Sequence, residues 1–175
     1  MSQPQKSVKF KTDLVESTTG SGWHFLLVTK NVVDKFGFED KFRRVVCTMN
    51  GGESFQCALL PWGDLFYIIV NKKKRDAIGI VAGDVVNVLL NRDESKYGLP
   101  MPEEFEEVLK QDSDGDRLFH NLTAGKQRSI LYQLSKPKDI DLRIHQALLI
   151  VGHLKENDGK INDKKLYEEL KRPMF

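Results

Sequence analysis

The spacing of the apolar residues changes once along the chain, close to Pro100. Before this point they alternate with polar residues, as Val8, Phe10 and Leu14 do, which is typical of strands with one buried face. After it they recur every three or four residues, which is typical of amphipathic helices. The sequence therefore predicts an α+β protein, with the strands first and the helices second.

Six strands are expected in the first part, bounded by turns rich in Gly, Asn and Pro. They cover residues 8–14, 23–28, 43–49, 54–60, 65–70 and 85–90. Two short helical segments, 31–36 and 71–78, connect them, with Gly37 and Gly79 as their left-handed caps. Six short strands are best buried as a closed or nearly closed barrel, because closure removes exposed edges.

The turn at 50–52 sets the pairing of two of these strands. A two-residue turn would place Val45 and Cys47 opposite polar residues, whereas a three-residue loop places them opposite Cys57 and Phe55 on one apolar face. We expect the second register, in which the two thiols are diagonal to each other, reduced and buried.

The following turn, 61–64, is expected to join two paired strands and to carry Trp62 at its tip. In this pairing Phe66 lies opposite Leu59 and Ile68 lies opposite Cys57. An aromatic residue at a turn tip either covers an open end of the barrel or belongs to a binding surface.

Three to four helices are expected in the second part. The first begins at Pro102, the second spans 123–134, and the last spans 163–170. The third has a core stripe made of Ile140, Ile144, Ala147, Leu148 and Val151.

No sequence motif identifies a catalytic or metal site. Residues 112–116 have acidic positions at calcium-loop spacing, but Thr123 replaces the twelfth, bidentate carboxylate, so a solvated turn between helices is favoured. His145 and His153 would lie roughly 12 Å apart on one helix, too far to share a metal ion. We expect no cofactor and no metal, and the sequence leans against an enzyme without deciding the question.

The densest basic run is Lys72, Lys73, Lys74 and Arg75, and Arg43 and Arg44 are expected on the same side of the barrel. This run is either a solvated surface or a patch for a weakly bound anionic partner. The 27 basic and 25 acidic residues of the whole chain argue against a dedicated nucleic-acid binder.

A cytoplasmic protein without a membrane segment is expected. The amino terminus has neither the basic nor the apolar region of a secretory signal. The longest apolar run, 147–151, is far shorter than the ~20 residues that a spanning helix requires.

Two sets of residues resemble known families. Asn50, Gly51, Phe55, Asn71, Arg75, Ile78, Gly79, Gly83, Asp84, Val85 and Val86 resemble a bacterial domain of unknown function, whose members form a double-split β-barrel related to the AbrB transcription-factor fold. Phe119, Leu122, Thr123, Lys126, Gln127, Arg128, Arg143 and Ile144 resemble a helical segment called YdeI/OmpD-associated, or bacteriocin-protection.

The resemblance implies a fold and a domain arrangement. Together with the six strands of the apolar pattern, it predicts a double-split barrel at 8–92 and a YdeI/OmpD-associated-like segment at 101–175. Residues 1–7 are expected to form a flexible N-terminus. A relation in fold to a transcription factor does not by itself imply DNA binding.

Three functional hypotheses follow. The first is a non-catalytic cytoplasmic binding or adaptor protein that recognises a protein or a small ligand, alone or as a homo-oligomer. The second is a nucleic-acid-binding protein that uses Lys72 to Arg75 with Arg43 and Arg44. The third is an enzyme with a site between barrel and helices, for which no nucleophile can be named.

Overall fold

A computed structural model describes residues 3–39, 41 and 43–173 of the chain. The chain divides into two compact units, one ending at Glu94 and the other beginning at Ser95. We call them the barrel unit and the helical unit. Each has a core of buried apolar side chains.

The described part of the barrel unit contains seven antiparallel strands and two short helices. The strands are β1 (Ser7–Glu16), β2 (His24–Thr29), β3 (Arg44–Met49), β4 (Phe55–Ala58), β5 (Leu60–Trp62), β6 (Leu65–Ile69) and β7 (Val85–Arg92). The helices are α1 (Lys30–Asp34) and α2 (Lys72–Ile78). The strand order is β4-β3-β7-β1-β2-β6-β5, which forms a nearly closed barrel. The expected α+β class and the expected barrel are confirmed.

Two stretches of chain pair first with one strand and then with another. They connect the half of the barrel that contains β3 and β7 to the half that contains β2 and β6. The first part of β1 pairs with β7, from Ser7 to Asp13, and the remainder pairs with β2. The other stretch is 55–62, in which β4 pairs with β3 and β5 pairs with β6. Only Leu59, which is buried in the core, separates β4 from β5. This run therefore lies at both ends of the sheet order.

This arrangement corrects the predicted pairing around residue 61. The described residues form seven strands instead of six. The turn consists of Gly63 and Asp64, so Trp62 is the last residue of β5 and not a turn tip. Phe66 lies opposite Pro61 instead of Leu59. Proline has no backbone N–H to donate to a neighbouring strand, and it is tolerated in β5 because β5 is an edge strand.

The pairing of β3 with β4 confirms the three-residue loop. Val45 lies opposite Cys57 and Cys47 opposite Phe55, and both cysteines are free. Cys47 is buried, whereas Cys57 is only partly buried.

The described part of the helical unit contains five helices, one more than the largest predicted number. They are α3 (Glu103–Gln111), α4 (Ser113–His120), α5 (Ala124–Ser135), α6 (Ile140–Glu156) and α7 (Asp163–Glu169). The unpredicted one is α4, which occupies the acidic segment expected to be a solvated turn. Asp112 caps it by accepting a hydrogen bond from the Gly115 backbone N–H at 2.9 Å. Acidic residues in a first turn also suit the positive end of the helix dipole.

The buried face of α6 differs from the predicted stripe. Ala147 and Val151 are buried as expected, but Ile140, Ile144 and Leu148 are exposed. The face that enters the core instead contains Ile150 and Leu154. The prediction was wrong because α6 carries apolar residues on more than one side, so spacing alone does not select the buried one.

Candidate functional site

The basic run forms the first four residues of α2, and its charges are used in different ways. Lys72 makes an ion pair with Asp76 one turn later. The Lys74 Nζ lies 4.7 Å from the centroid of the Phe55 ring. Lys73 and Lys74 line a small cavity beside β4, whereas the Arg75 side chain is half-buried. The run is therefore not a row of four equivalent solvated charges.

Arg43 and Arg44 adjoin the start of β3. The guanidinium of Arg43 lies over the Phe66 ring, 5.0 Å from its centroid. Arg44 is opposite Ala58, and its positive charge acts on the Cys57 thiol.

Both thiols are held in the protonated form. Burial raises the pKa of Cys57 to about 12, although the positive charges of Arg44 and Lys74 act in the opposite direction. Burial also raises the pKa of Cys47, and the neighbouring Cys57 raises it further. Because the thiolate is the nucleophile, these cysteines are poorly suited to covalent chemistry at neutral pH.

Trp62 belongs to a larger apolar surface that we call the outer groove, a depression of about 510 Å³ on the outside of the barrel. Its apolar walls come from β1, β2, β5 and β6. They consist of Val15, Phe25, Leu27, Trp62, Leu65, Phe66 and Tyr67, with residues 16–19 completing the rim.

The rings of the outer groove are arranged edge to face. The Tyr67 centroid is 5.1 Å from that of Phe25 and 6.0 Å from that of Trp62, with interplanar angles of 77° and 78°. This geometry is favourable for aromatic pairs and holds the rings in place. Trp62 nevertheless keeps 67% of its surface exposed.

Most of the outer groove was missed in the sequence, although a signal exists. The segment Trp23 to Val28 is apolar at nearly every position, and so is Leu65 to Val70. In an antiparallel barrel only one face of each strand enters the core, so an unbroken apolar run indicates that the outer face is apolar as well.

His153 and Glu169 form a buried polar pair in the helical unit. The His153 Nδ1 lies 2.7 Å from Glu169 Oε2, and its Nε2 accepts a hydrogen bond of 3.1 Å from the Asn162 backbone N–H. Nδ1 therefore carries the hydrogen and donates it to the carboxylate. Both ring nitrogens are occupied, so the pair joins α6 to α7 and is not free to act as a catalytic base.

Within residues 3–39, 41 and 43–173, no three His, Cys, Asp or Glu side chains are grouped as metal ligands. In the same part of the chain no helix has both the length and the apolar character needed to cross a bilayer.

Fold and surface together define a small β-barrel domain with an outward-facing apolar groove. Residues 10–90 match the family model of a domain of unknown function, DUF1905. The match covers less than half of the 175 residues and includes all seven strands except the outer ends of β1 and β7. It confirms the resemblance of the first part of the chain to a domain of unknown function. Comparison with curated proteins and with solved structures gives no match.

Proposed function

We propose that the barrel unit is a non-catalytic binding module whose outer groove takes a small, largely apolar ligand with an aromatic ring. The observation that carries this proposal is the groove of about 510 Å³ with Trp62 exposed at its edge. Exposed apolar surfaces lower the solubility of a protein, so they are uncommon on soluble proteins. Where one is present, it is typically a binding site.

The size and the chemistry of the groove favour a small ligand. Ligand pockets generally enclose about 300–1,000 Å³ and are lined by apolar and aromatic side chains with a few polar groups. The edge-to-face contacts of Phe25, Tyr67 and Trp62 fix the rings before a ligand arrives. A preformed site loses less conformational entropy on binding than a flexible one.

The polar groups on the rim support binding without catalysis. The hydroxyl oxygens of Ser17 and Thr19 lie 2.8 Å apart, and Thr19 donates a hydrogen bond of 2.9 Å to Ser21. Neither a histidine nor a cysteine is among the described residues of the groove. The Ser17 and Thr19 hydroxyls are therefore bonded to other hydroxyls, an arrangement that suits the orientation of a polar group on a ligand.

We further propose that the barrel is of the AbrB-like double-split type and that the helical unit corresponds to the YdeI/OmpD-associated segment. The change of partners within β1 and within 55–62 supports the first assignment. A cytoplasmic location belongs to the same proposal. Two free cysteines support it, since the cytosol keeps thiols reduced.

Saturation-transfer NMR with a library of neutral aromatic fragments tests the binding proposal on the full chain. We expect fragments that bind the wild type and lose at least about tenfold in affinity in Trp62→Ala, the effect of losing one aromatic contact. Val85→Ala is the matched control, because Val85 is an exposed apolar residue of the barrel outside the groove.

The comparison of the two variants decides the outcome. Both variants should stay folded and melt close to the wild-type temperature, since both side chains are mostly exposed. Fragments that bind Trp62→Ala as tightly as the wild type would contradict the proposal, and so would a library without any binder.

A further inference from the structure

A second cavity lies between α2 and the β3–β4 loop, and we call it the α2 pocket. It encloses about 220 Å³. Its apolar walls are Met49, Phe55, Ala77 and Ile78, and its polar rim is Glu53, Ser54, Lys73 and Lys74. It shares no lining residue with the outer groove.

The walls of the α2 pocket are fixed by the fold. Met49 belongs to the barrel core, and Phe55 and Ile78 pack against that core. Helix α2 is held at both ends, because the Asn71 side chain accepts from the Lys74 backbone N–H and Gly79 closes the helix with φ 68°. The pocket therefore exists before a ligand binds.

Close packing at Gly52 keeps the loop against α2. A Cβ built on Gly52 would come within 2.7 Å of Ile78 Cγ2 and 3.2 Å of the Met49 carbonyl oxygen. The contact with Ile78 is closer than real Cβ atoms approach, so any larger residue at this position would displace the loop or Ile78.

The rim residues of the α2 pocket carry a net positive charge. Neither Lys73 nor Lys74 has an ion-pair partner in the part of the chain that the structure describes, whereas Lys72 is paired with Asp76. With Glu53 on the same rim, the pocket has two ammonium groups and one carboxylate. Lys74 is drawn over the Phe55 ring by a cation–π contact, which keeps its charge close to the cavity.

We infer that the α2 pocket binds a small organic monoanion that consists of one aromatic ring and one carboxylate. An apolar cavity of about 150 Å³ accepts a benzene molecule, so the α2 pocket has room for a ring and a carboxylate. The thioether of Met49 and the Phe55 ring make favourable contacts with an aromatic ring. Lys73 and Lys74 supply the charge-assisted hydrogen bonds for the carboxylate.

The site goes beyond the proposed function, because it lies on different residues and selects for charge. A neutral aromatic ligand suits the outer groove, whereas the α2 pocket requires an anion.

Titration of the ¹⁵N-labelled full chain with benzoate, followed by amide chemical shifts, tests the inference. We expect saturable shifts confined to residues 49–55 and 73–78. Benzyl alcohol, which has a similar shape but no charge, should bind at least about tenfold more weakly, as expected for the loss of a charge-assisted hydrogen bond.

Three lysine variants separate the pocket from general surface charge. Lys73→Ala and Lys74→Ala should each weaken benzoate binding several-fold. Lys72→Ala is the matched control, since it removes the same charge from the same helix but from a residue outside the pocket. Ala77→Phe should abolish binding without any change in charge, because it fills the pocket from an exposed position.

Three results would overturn the inference. Benzyl alcohol could bind as tightly as benzoate, or Lys72→Ala could weaken benzoate binding as much as Lys74→Ala does. The third is that benzoate does not bind but a single-stranded oligothymidylate binds with strong salt dependence and is lost in all three lysine variants, which would identify a nucleic-acid surface.

Discussion

Asp112 makes two electrostatic contacts with its two carboxylate oxygens. Oδ1 accepts a hydrogen bond from the Gly115 backbone N–H in the first turn of α4. Oδ2 lies 2.8 Å from the Nζ of Lys155 on α6. The hydrogen bond from Lys155 and the bond from Gly115 hold the pKa of Asp112 below its usual value. The same contact raises the pKa of Lys155.

These shifts predict a pH-dependent effect of Asp112→Asn. A carboxyl group with a lowered pKa in the folded state stabilises the protein above its unfolded pKa, and this stabilisation is lost as the pH falls through the folded value. Asparagine keeps the cap but removes the charge. Asp112→Asn should therefore melt below the wild type at pH 7, and the two melting temperatures should converge towards pH 2.

Asp114→Asn is the control for this prediction. Asp114 faces Arg117 at 3.5 Å, and both side chains are more than half exposed, so the pair contributes little. A pH-independent difference between Asp112→Asn and the wild type would show that the cap, and not the charge, is what the substitution changes.

Sequence information was sufficient where a residue acts on its neighbours in the chain. Gly79 was identified as the left-handed cap of α2, because a cap depends on residues within one turn. Cys47 and Cys57 were placed in the correct register, because one short loop determines it. The surroundings of Trp62 could not be predicted in this way, because Phe25 comes from a strand more than thirty residues earlier.

At the scale of an element, α6 shows how packing selects one face of a helix. Leu154 is fully buried, whereas Leu148 on the same helix keeps 55% of its surface exposed. Both are leucines in one helix, so replacement by alanine changes helix propensity equally. Any difference between the two substitutions in their effect on stability therefore reflects the difference in burial.

We predict very different stabilities for the two variants. Leu154→Ala should lower the free energy of unfolding by about 2–5 kcal/mol, because it leaves a cavity in the core. Leu148→Ala should change it by no more than about 0.5 kcal/mol. Urea denaturation followed by circular dichroism measures both. Equal losses would mean that Leu148 is covered in solution.

The elements that the sequence did not predict have a common physical reason. Acidic residues such as those of α4 are equally common in turns and in the first turn of a helix. The close approach of Gly115 to Val151 of α6 distinguishes the two, and it is visible only in the folded structure. The predicted strand 54–60 is divided at Leu59 because the residues before it pair with β3 and the residues after it pair with β6. Non-local partners of this kind leave no periodic signal in a single chain.

At the scale of the whole molecule, the order of the strands predicts the order of hydrogen exchange. Strand β7 is paired on both sides, with β1 and β3. Strand β5 has three residues and lies at the end of the strand order, where β6 is its one partner among the described strands. Amides open more readily where fewer buried contacts and fewer neighbours hold them.

Exchange of the intact protein, measured by NMR, should therefore be slowest at Val86, Val88 and Leu90 and fast in β5. Leu60 and Trp62 provide the two measurable amides of β5, because Pro61 has none. Equal protection of these amides and those of β7 would show that another segment covers this edge.

The run 55–62, in which only Leu59 separates β4 from β5, also sets the limits within which the sequence can change length. Alternate residues of a strand point to opposite faces, and across Leu59 this alternation continues without a break, with Cys57 inward and Trp62 outward. One inserted or deleted residue beside Leu59 would reverse the two faces of β5 relative to β4 and turn Trp62 into the barrel. Insertions at Gly63 and Asp64 would leave this phase intact, so length variation among related chains is expected at that turn and not within 55–62.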